Sequence, residues 1–190
     1  MKSKFLSLLL SGVFVLTCFA FSSTTLMAKK RIVFGGGPAG GTFQVVANGV
    51  QVYKPVKALK DYTIKAQSSA GSIENLRKVD RNRSQLGVVY SGHVYLGRNG
   101  MLKNDTNHYE NVLAVAFLYG APAQLVVRKG SGIKNPEDLV GKKVGVGNAG
   151  SGAFANCELF FNHLGIWDRV ERNAMGSVSY THLTLPTKSS

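Results

Sequence analysis

A predicted strand that leads into a glycine-rich loop and then into a helix start occurs twice in this chain. The first copy joins the apolar residues 32–34 to a first glycine loop, residues 35–41, with the sequence GGGPAGG. The second joins residues 143–144 to a second glycine loop, residues 145–150, with the sequence GVGNAG. A strand that enters a helix through a tight glycine loop is a building unit of parallel α/β sheets. The repetition therefore predicts an α/β fold.

The sequence between and around these loops alternates between strand and helix patterns. We expect strands over residues 32–34, 62–66, 86–90, 112–118, 125–128 and 143–147, and helices over 42–50, 73–79, 136–140 and 154–164, with a short helix after residue 93. Because most strands are followed by helices, the sheet should be mainly parallel with right-handed connections. Ligands of such sheets bind at the carboxyl ends of the strands, where residues 37–43, 68–72, 90–93 and 148–153 should converge.

The two ends of the chain carry signals of a different kind. Residues 1–28 combine an early basic pair, a long apolar run and a small-residue exit, which predicts a secretory signal peptide cleaved after Ala28 rather than a membrane anchor. Residues 177–190 continue neither a helix nor a strand pattern, and we interpret them as a non-native tail. The native mature part is then residues 29–176, which we expect to stop within a longer protein.

Composition narrows the class of protein further. The expected mature part contains one cysteine, Cys157, so an intramolecular disulfide is excluded, and an exported chain of this kind suits a bacterial periplasm. The formal net charge is +13, but the basic residues are spread over loops and helix ends without interleaved aromatic residues. That distribution argues against a nucleic-acid partner and is compatible with attraction of an anionic small molecule.

Both glycine loops match the G-x-G-x-x-G pattern of dinucleotide-binding proteins, yet the rest of that site is missing. The pattern needs an acid at the end of the second strand, and Asp61 precedes that strand while the uncharged Gln67 and Ser68 follow it. The loops still bring backbone N–H groups and helix N-termini close to a ligand, an arrangement that suits a carboxylate. We therefore expect an anion site rather than a nucleotide site.

Five short motifs, taken in order, resemble a known family. They are Gly41-Thr42-Phe43, Ala70-Gly71-Ser72-Ile73-Glu74-Asn75-Leu76, Gln85-Leu86-Gly87-Val88-Val89, Asn135 through Val144, and Gly150-Ser151-Gly152. Together they resemble the TAXI family of TRAP-transporter solute receptors over residues 31–176. The Asp-Leu-Val-Gly-Lys-Lys-Val segment is shared more broadly with type II periplasmic binding proteins, whereas the two Gly-Ser elements are more specific.

The resemblance implies a periplasmic-binding-protein-like (type II) α/β fold, a two-lobed clamshell located in the periplasm. Lobe 1 would be residues 29–125 and mostly present, and residues 126–176 would form the hinge and only the start of lobe 2. It implies as partners a small acidic solute, similar to glutamate or 2-oxoglutarate, and the membrane permease subunits of an ion-gradient-driven TRAP transporter. The ligand contacts that it implies are Gly41, Thr42, Phe43, Ser69, Ser72, Tyr90, Asn148, Ser151, Gly152 and Ala153.

The chain departs from the family pattern at two places, which bears on the solute. It has Phe43-Gln44 where many members have an aromatic pair, and Ser91-Gly92 where many have an acid that could hold an ammonium group. A plain carboxylate is therefore favoured over an amino acid. No cofactor and no catalytic residue are expected. No metal is expected either, since no metal-ligand spacing is present.

Two other classes of protein stay open as alternatives, an exported serine hydrolase and an immunogenic surface protein without a transport role. The hydrolase would have to use Gly150-Ser151-Gly152, but its nucleophile elbow needs a glycine where Ala149 stands. The histidines at positions 93, 108 and 163 lie on separate predicted elements without a visible carboxylate partner.

Overall fold

The structure, a computed structural model, describes residues 28–175 and contains two parallel sheets in that range. β1 (Lys30–Gly35), β2 (Tyr62–Gln67) and β3 (Leu86–Gly87) form a three-stranded sheet in the order β2-β1-β3. β4 (Lys143–Gly145) and β5 (Glu171–Asn173) form a two-stranded sheet. All pairings within these sheets are parallel, so the predicted sheet type is confirmed.

Helices connect the strands as the alternating pattern predicts. They are α1 (Thr42–Val52), the single turn α2 (Lys54–Lys57), α3 (Ser72–Asp80), α4 (Ser91–Arg98) and α5 (Gly152–His163). Two 3₁₀ turns, Pro136–Leu139 and Trp167–Arg169, flank β4 and β5 in sequence. In the described range no helix has the length and hydropathy required to cross a bilayer.

The strand register brings the ends of β1, β2 and β3 to one edge of the sheet. β1 and β2 pair from Lys30 opposite Tyr62 to Gly35 opposite Gln67, and Gly35 also pairs with Gly87 on β3. The loops that follow these strands therefore start side by side. This edge positions the first glycine loop next to the starts of α3 and α4.

The apolar core of the described residues consists of three clusters. One joins α1 to the three-stranded sheet around Phe34, Ala47 and Val88, and a second surrounds the buried Leu76 of α3. The third belongs to the two-stranded sheet and α5, and its buried members are Leu139, Val144, Val146, Phe161, Ile166, Trp167 and Val170. Each sheet thus has a core of its own.

A buried ionic group fixes the chain after α4 against α3. The Arg77 guanidinium lies 2.5 Å from the Asp105 carboxylate, which also accepts a 2.6 Å hydrogen bond from the Tyr109 hydroxyl. Burial opposes ionisation of Asp105, but the hydrogen bonds from Tyr109, Arg77 and Asn107 outweigh it and hold the pKa of that carboxyl well below its usual range. This hydrogen-bonded ionic group borders the apolar cluster around Leu76.

Two predicted strands, residues 112–118 and 125–128, are wrong, because neither segment is a strand in the structure. Leu113, Val115 and Phe117 are 82%, 83% and 86% exposed, although their alternation is typical of a half-buried strand. A strand requires a neighbour for its backbone hydrogen bonds, and no strand of residues 28–175 pairs with either segment. β3 is also shorter than the predicted 86–90, since only two of its residues pair with β1.

The elements with strong local signals are confirmed, with one change of type. On α5, Phe161 is buried while Phe154, Cys157 and Leu164 pack on the same cluster, as the helical spacing predicts. The helix predicted at Pro136 is a 3₁₀ turn, whose Asp138 carboxylate accepts hydrogen bonds from the backbone N–H groups of Asn135 and Lys134 at 2.9 and 2.8 Å.

Candidate functional site

The first glycine loop is held by side chains from other parts of the fold. The backbone N–H of Gly37 donates to the buried Gln44 Oε1 on α1 at 3.2 Å. The carbonyl of Gly36 accepts a 3.0 Å hydrogen bond from the Ser69 hydroxyl. These contacts fix the path of the loop between β1 and α1.

Asn75 of α3 supports the same loop from inside the fold. Its fully buried Nδ2 lies 3.2 Å from the Gly35 carbonyl, 2.6 Å from that of Gly36 and 2.9 Å from that of Val88. The Asn75 Oδ1 atom has no hydrogen-bond partner among the described residues. One amide group therefore joins the ends of β1 and β3 to the first turn of α3.

The start of α3 depends on a glycine that other residues cannot replace without strain. Gly71 has φ 119° and ψ −144°, a conformation that is essentially restricted to glycine. Its N–H donates to the Ser69 hydroxyl at 3.1 Å, and the N–H of Ala70 donates to the Glu74 carboxylate at 2.6 Å. Burial opposes ionisation of Glu74, yet hydrogen bonds from Lys78 and Ala70 lower its pKa.

Ser72 and His93 form a buried polar contact between α3 and α4. The Ser72 hydroxyl accepts a hydrogen bond from the Tyr90 backbone N–H at 2.9 Å, and it lies 2.9 Å from His93 Nδ1. The tautomer of the His93 imidazole decides which of the two groups donates in this contact. Burial lowers the pKa of His93, and a hydrogen bond with the Asn156 side chain on α5 opposes that shift.

The second glycine loop is held mainly by its own residues. Ser151 caps α5, because its hydroxyl accepts a 3.0 Å hydrogen bond from the Phe154 N–H. The Ser151 N–H donates to the Asn148 carbonyl at 3.0 Å. Across residues 28–175, no side chain of another element donates or accepts a hydrogen bond at residues 145–150.

The start of α5 packs directly against the starts of α3 and α4. A Cβ atom added at Gly152 would lie 2.6 Å from the Tyr90 ring and 2.8 Å from Ser72 Cβ, so only glycine allows this approach. An ion pair at 2.6 Å between Lys103 and Glu158 joins the same two parts of the molecule further along α5. The two parts, each with its own core, therefore meet at the predicted cleft positions.

Unpaired backbone donors are concentrated where these helices begin. The N–H groups of Thr42 and Phe43 at the start of α1, and of Gly152 and Ala153 at the start of α5, make no hydrogen bond within the described part of the chain. A helix N-terminus also carries a partial positive charge from the aligned peptide dipoles. Such donors bind anions without a charged side chain.

Aromatic rings lie beside these donors. The rings of Phe43 and Tyr90 are 5.0 Å apart between centroids, and Tyr119 packs edge-on against Phe43 at 6.4 Å. Burial raises the pKa of both tyrosine hydroxyls, and the proximity of Tyr90 adds to the shift at Tyr119. Both hydroxyls are therefore protonated at neutral pH.

The structure brings the sequence-predicted site residues together, but the side chains of several of them stabilise the site through internal hydrogen bonds. The hydroxyls of Ser69, Ser72 and Ser151 are engaged in the internal hydrogen bonds described above. Gly41, Thr42, Phe43, Tyr90, Asn148, Gly152 and Ala153 complete the predicted set, all in loops or at helix starts.

Sequence reasoning missed Asn156 and Tyr119 as parts of this site, whereas His93 lies in the segment 90–93 that the sequence predicts at the cleft. The buried contact of His93 with Ser72 was not predicted. The contact with Asn156 joins residues from the two separately packed parts, which no local pattern reveals. Tyr119 follows a segment whose strand prediction is wrong, so its position was not predictable from that element.

The contact of Ser72 with His93 has the length of a nucleophile–base pair but not its accessibility. Ser72 is fully buried, and its hydroxyl already accepts the Tyr90 N–H. The side chain that raises the pKa of the imidazole is an amide, Asn156, and not a carboxylate. A bound substrate could not reach this hydroxyl, so the geometry suits a structural contact.

Apart from the Glu74–Lys78 ion pair at the start of α3, the site consists of neutral groups and backbone dipoles. In the range that the structure describes, no group of three or more His, Cys, Asp or Glu side chains is placed to hold a metal ion. The donors, rings and hydroxyls together can bind a small anion and exclude water around it.

Comparison with known families supports a binding role. The model of the NMT1-like family matches residues 34–184, which include both glycine loops, strands β2 to β5 and every predicted site residue. This family is periplasmic-binding-like and related to substrate-binding proteins, and proteins of this type are extracytoplasmic as a rule. The match covers most of the chain, and the protein therefore belongs to the NMT1-like family.

Proposed function

We propose that this chain is an extracytoplasmic solute-binding receptor of the TAXI type, which captures a small carboxylate for a TRAP-type permease driven by an ion gradient. The observation that carries the proposal is the packing of the start of α5, which follows the second glycine loop, against Ser72 and Tyr90 at the starts of α3 and α4. The Phe43 ring at the start of α1 packs on the same Tyr90 ring, so the helix starts with unpaired N–H groups lie on either side of Tyr90. The glutamate- and 2-oxoglutarate-like acids implied by the resemblance are the first solutes to test.

The proposed binding mode relies on backbone donors and not on a charged side chain. Thr42 and Phe43 supply N–H groups from one side, and Gly152 and Ala153 supply them from the other. Hydrogen bonds to a charged acceptor contribute about 1.5–3 kcal/mol each, so two or three of them hold a small carboxylate with useful affinity. The positive net charge of the chain adds long-range attraction for an anion.

Two sheets with separate cores are the feature that a two-lobed receptor requires. The core around Leu76 and Phe34 belongs to one part, and the core around Phe161 belongs to the other. Contacts between them include Gly152 with Tyr90 and Ser72, the imidazole of His93 with Asn156, and the Lys103–Glu158 ion pair. We propose that these contacts form on closure around the solute, and that delivery to the permease follows from their release.

A pair of substitutions at Thr42 tests the backbone mechanism. Proline fits the first position of a helix and removes only one N–H group, and Gly41 before it has the extended conformation that a following proline requires (φ −80°, ψ 150°). We expect Thr42→Pro to weaken binding of 2-oxoglutarate by about tenfold or more, measured by isothermal titration. Thr42→Ala, which removes the hydroxyl but keeps the N–H, is the matched control and should bind nearly as the parent does.

The outcome also separates the receptor from the hydrolase. If none of glutamate, 2-oxoglutarate and acetate binds, or if Thr42→Pro binds as well as the parent, the proposal fails. Turnover of a simple aryl ester that is lost in Ser72→Ala or Ser151→Ala would instead establish an enzyme.

A further inference from the structure

Three half-buried rings form a continuous surface beside the unpaired donors of α1 and α5. We call Phe43, Tyr90 and Tyr119 the aromatic wall. The Phe43 ring lies between the other two, with centroids 5.0 Å from Tyr90 and 6.4 Å from Tyr119. The edge of Tyr90 lies against Gly152, where α5 begins. The aromatic wall therefore borders both sets of backbone donors.

We propose that the aromatic wall selects carboxylates that carry a flat apolar body, and that Tyr119 is a specificity-determining residue of this site. The inference rests on the proposed function, since it assumes that a carboxylate binds at the helix starts. A planar ligand body would lie on the wall while its carboxylate accepts hydrogen bonds from the N–H groups of α1 and α5. Aromatic surfaces attract such bodies through area burial and ring-edge contacts.

The electrostatics around the wall favour one carboxylate over two. Burial is the sole cause of the raised pKa of Tyr90, and at Tyr119 the other cause is Tyr90 itself. A nearby lysine or arginine would lower the pKa of a tyrosine hydroxyl, and no such effect of a described residue is present at either ring. A second carboxylate directed at the wall would therefore lose its hydration without gaining a cation.

Tyr119 is the member of the wall that is independent of the packed cores. Phe43 packs on the cluster around Phe34, and Tyr90 supports the close approach of Gly152. Tyr119 instead belongs to the non-strand segment whose other large side chains, such as Phe117 and Leu118, are exposed. Its ring is half-buried because it packs on Phe43. A change at position 119 can thus alter the wall without removing a core residue.

The test compares ligands that share a carboxylate but differ in their bodies. The purified chain is titrated calorimetrically with acetate, phenylacetate and 2-oxoglutarate. We expect phenylacetate to bind about tenfold or more tightly than acetate, because its ring buries apolar area on the wall. Tyr119→Ala should weaken phenylacetate binding by roughly 2- to 10-fold and leave acetate binding unchanged, whereas Tyr119→Phe should preserve both.

Tyr62→Ala provides the matched control, since Tyr62 is a partly exposed tyrosine at the opposite end of β2 from the loops. The inference is overturned if acetate or 2-oxoglutarate binds while phenylacetate binds no more tightly than acetate. It is also overturned if Tyr119→Ala weakens acetate and phenylacetate equally, or if Tyr62→Ala has the same effect. Failure of all three acids to bind would overturn the proposed function together with the inference.

Discussion

The two glycine loops look alike in sequence but are supported in different ways. The first is bonded to side chains from three other positions, Gln44, Ser69 and Asn75, all of them part of the larger α/β unit. In the second, the hydrogen bonds at Asn148 and Ser151 stay within the loop and the helix that follows it. The first loop is therefore fixed by side chains of several elements, while the second is held by a backbone hydrogen bond to β5 and by the helix that follows it.

This difference suits a receptor in which one half of the site is already formed before the ligand binds and the other half moves. A preformed loop keeps its N–H groups aimed at the ligand position before binding, which lowers the entropic cost of capture. The second loop is bonded to its own helix and, through the Val146 N–H, to the Asn173 carbonyl of β5, so it can shift together with that helix and sheet. Substitutions that weaken the first loop should therefore destabilise the protein more than substitutions that weaken the second.

Asn75→Ala should have the largest effect, because it removes a buried amide that reaches three carbonyl groups. We expect a loss of about 2–3 kcal/mol in the free energy of unfolding, because the two N–H groups of the amide contribute about 1 kcal/mol each and their buried carbonyl partners would be left unpaired. Urea denaturation measures it, with Asn162→Ala at an exposed position of α5 as control. A loss of less than about 1 kcal/mol would show that the first loop is not fixed by Asn75.

Gly152→Ala should disrupt the contact between the two parts of the molecule. The added methyl group would overlap the Tyr90 ring, so we expect a loss of about 2 kcal/mol and weaker binding of carboxylates. Gly49→Ala is the matched control, since a Cβ atom on that residue of α1 meets nothing within 4 Å. Gly49→Ala should stabilise the protein by about 0.5–1 kcal/mol. If α5 did not approach Tyr90, Gly152→Ala would not destabilise the protein, and the two substitutions would no longer change its stability in opposite directions.

Ser151→Ala tests the local support of the second loop. Loss of the helix cap should cost about 1 kcal/mol, and Ser151→Thr should recover most of it because threonine keeps the capping oxygen. Thermal denaturation of both variants measures the effect. A loss as large as that of Asn75→Ala would show that both loops are equally fixed, which contradicts the comparison.

The pH dependence at His93 should be the smallest of the effects. Burial lowers the pKa of His93 below its ordinary value of 6.5, so the unfolded chain binds a proton more readily than the folded one. The corresponding stability is complete above pH 6.5 and is lost as the pH falls through the folded-state pKa. His93→Gln should reduce the change in urea midpoint between about pH 8 and about pH 5, and His163→Gln, at an exposed position, should not.

Elements whose signals are local could be predicted from the sequence. β1, β2, α1, α3 and α5 lie where apolar spacing, glycine and capping residues indicate them. The four segments expected at the sheet edge also meet there, because parallel strands direct their following loops to one side.

Features that depend on distant partners could not be predicted. Residues 112–118 have the alternation of a strand, but alternation does not supply the neighbour that a strand requires. The contact between Ser72 and His93 joins residues 21 positions apart, and the link to Asn156 crosses between two cores. The internal use of the serine hydroxyls was likewise not predictable, because a serine in a loop suits a ligand contact and a structural hydrogen bond equally well.

The most direct test of the central claim is a map of backbone amide shifts on ligand addition. The nitrogen-15-labelled chain is titrated with 2-oxoglutarate and, separately, with phenylacetate. If backbone donors from both loops hold the carboxylate, the amide signals of Thr42, Phe43, Gly152 and Ala153 will move together along one saturable curve with either acid. Shifts confined to lysine- or arginine-rich loops, or to only one of the two helix starts, would contradict it.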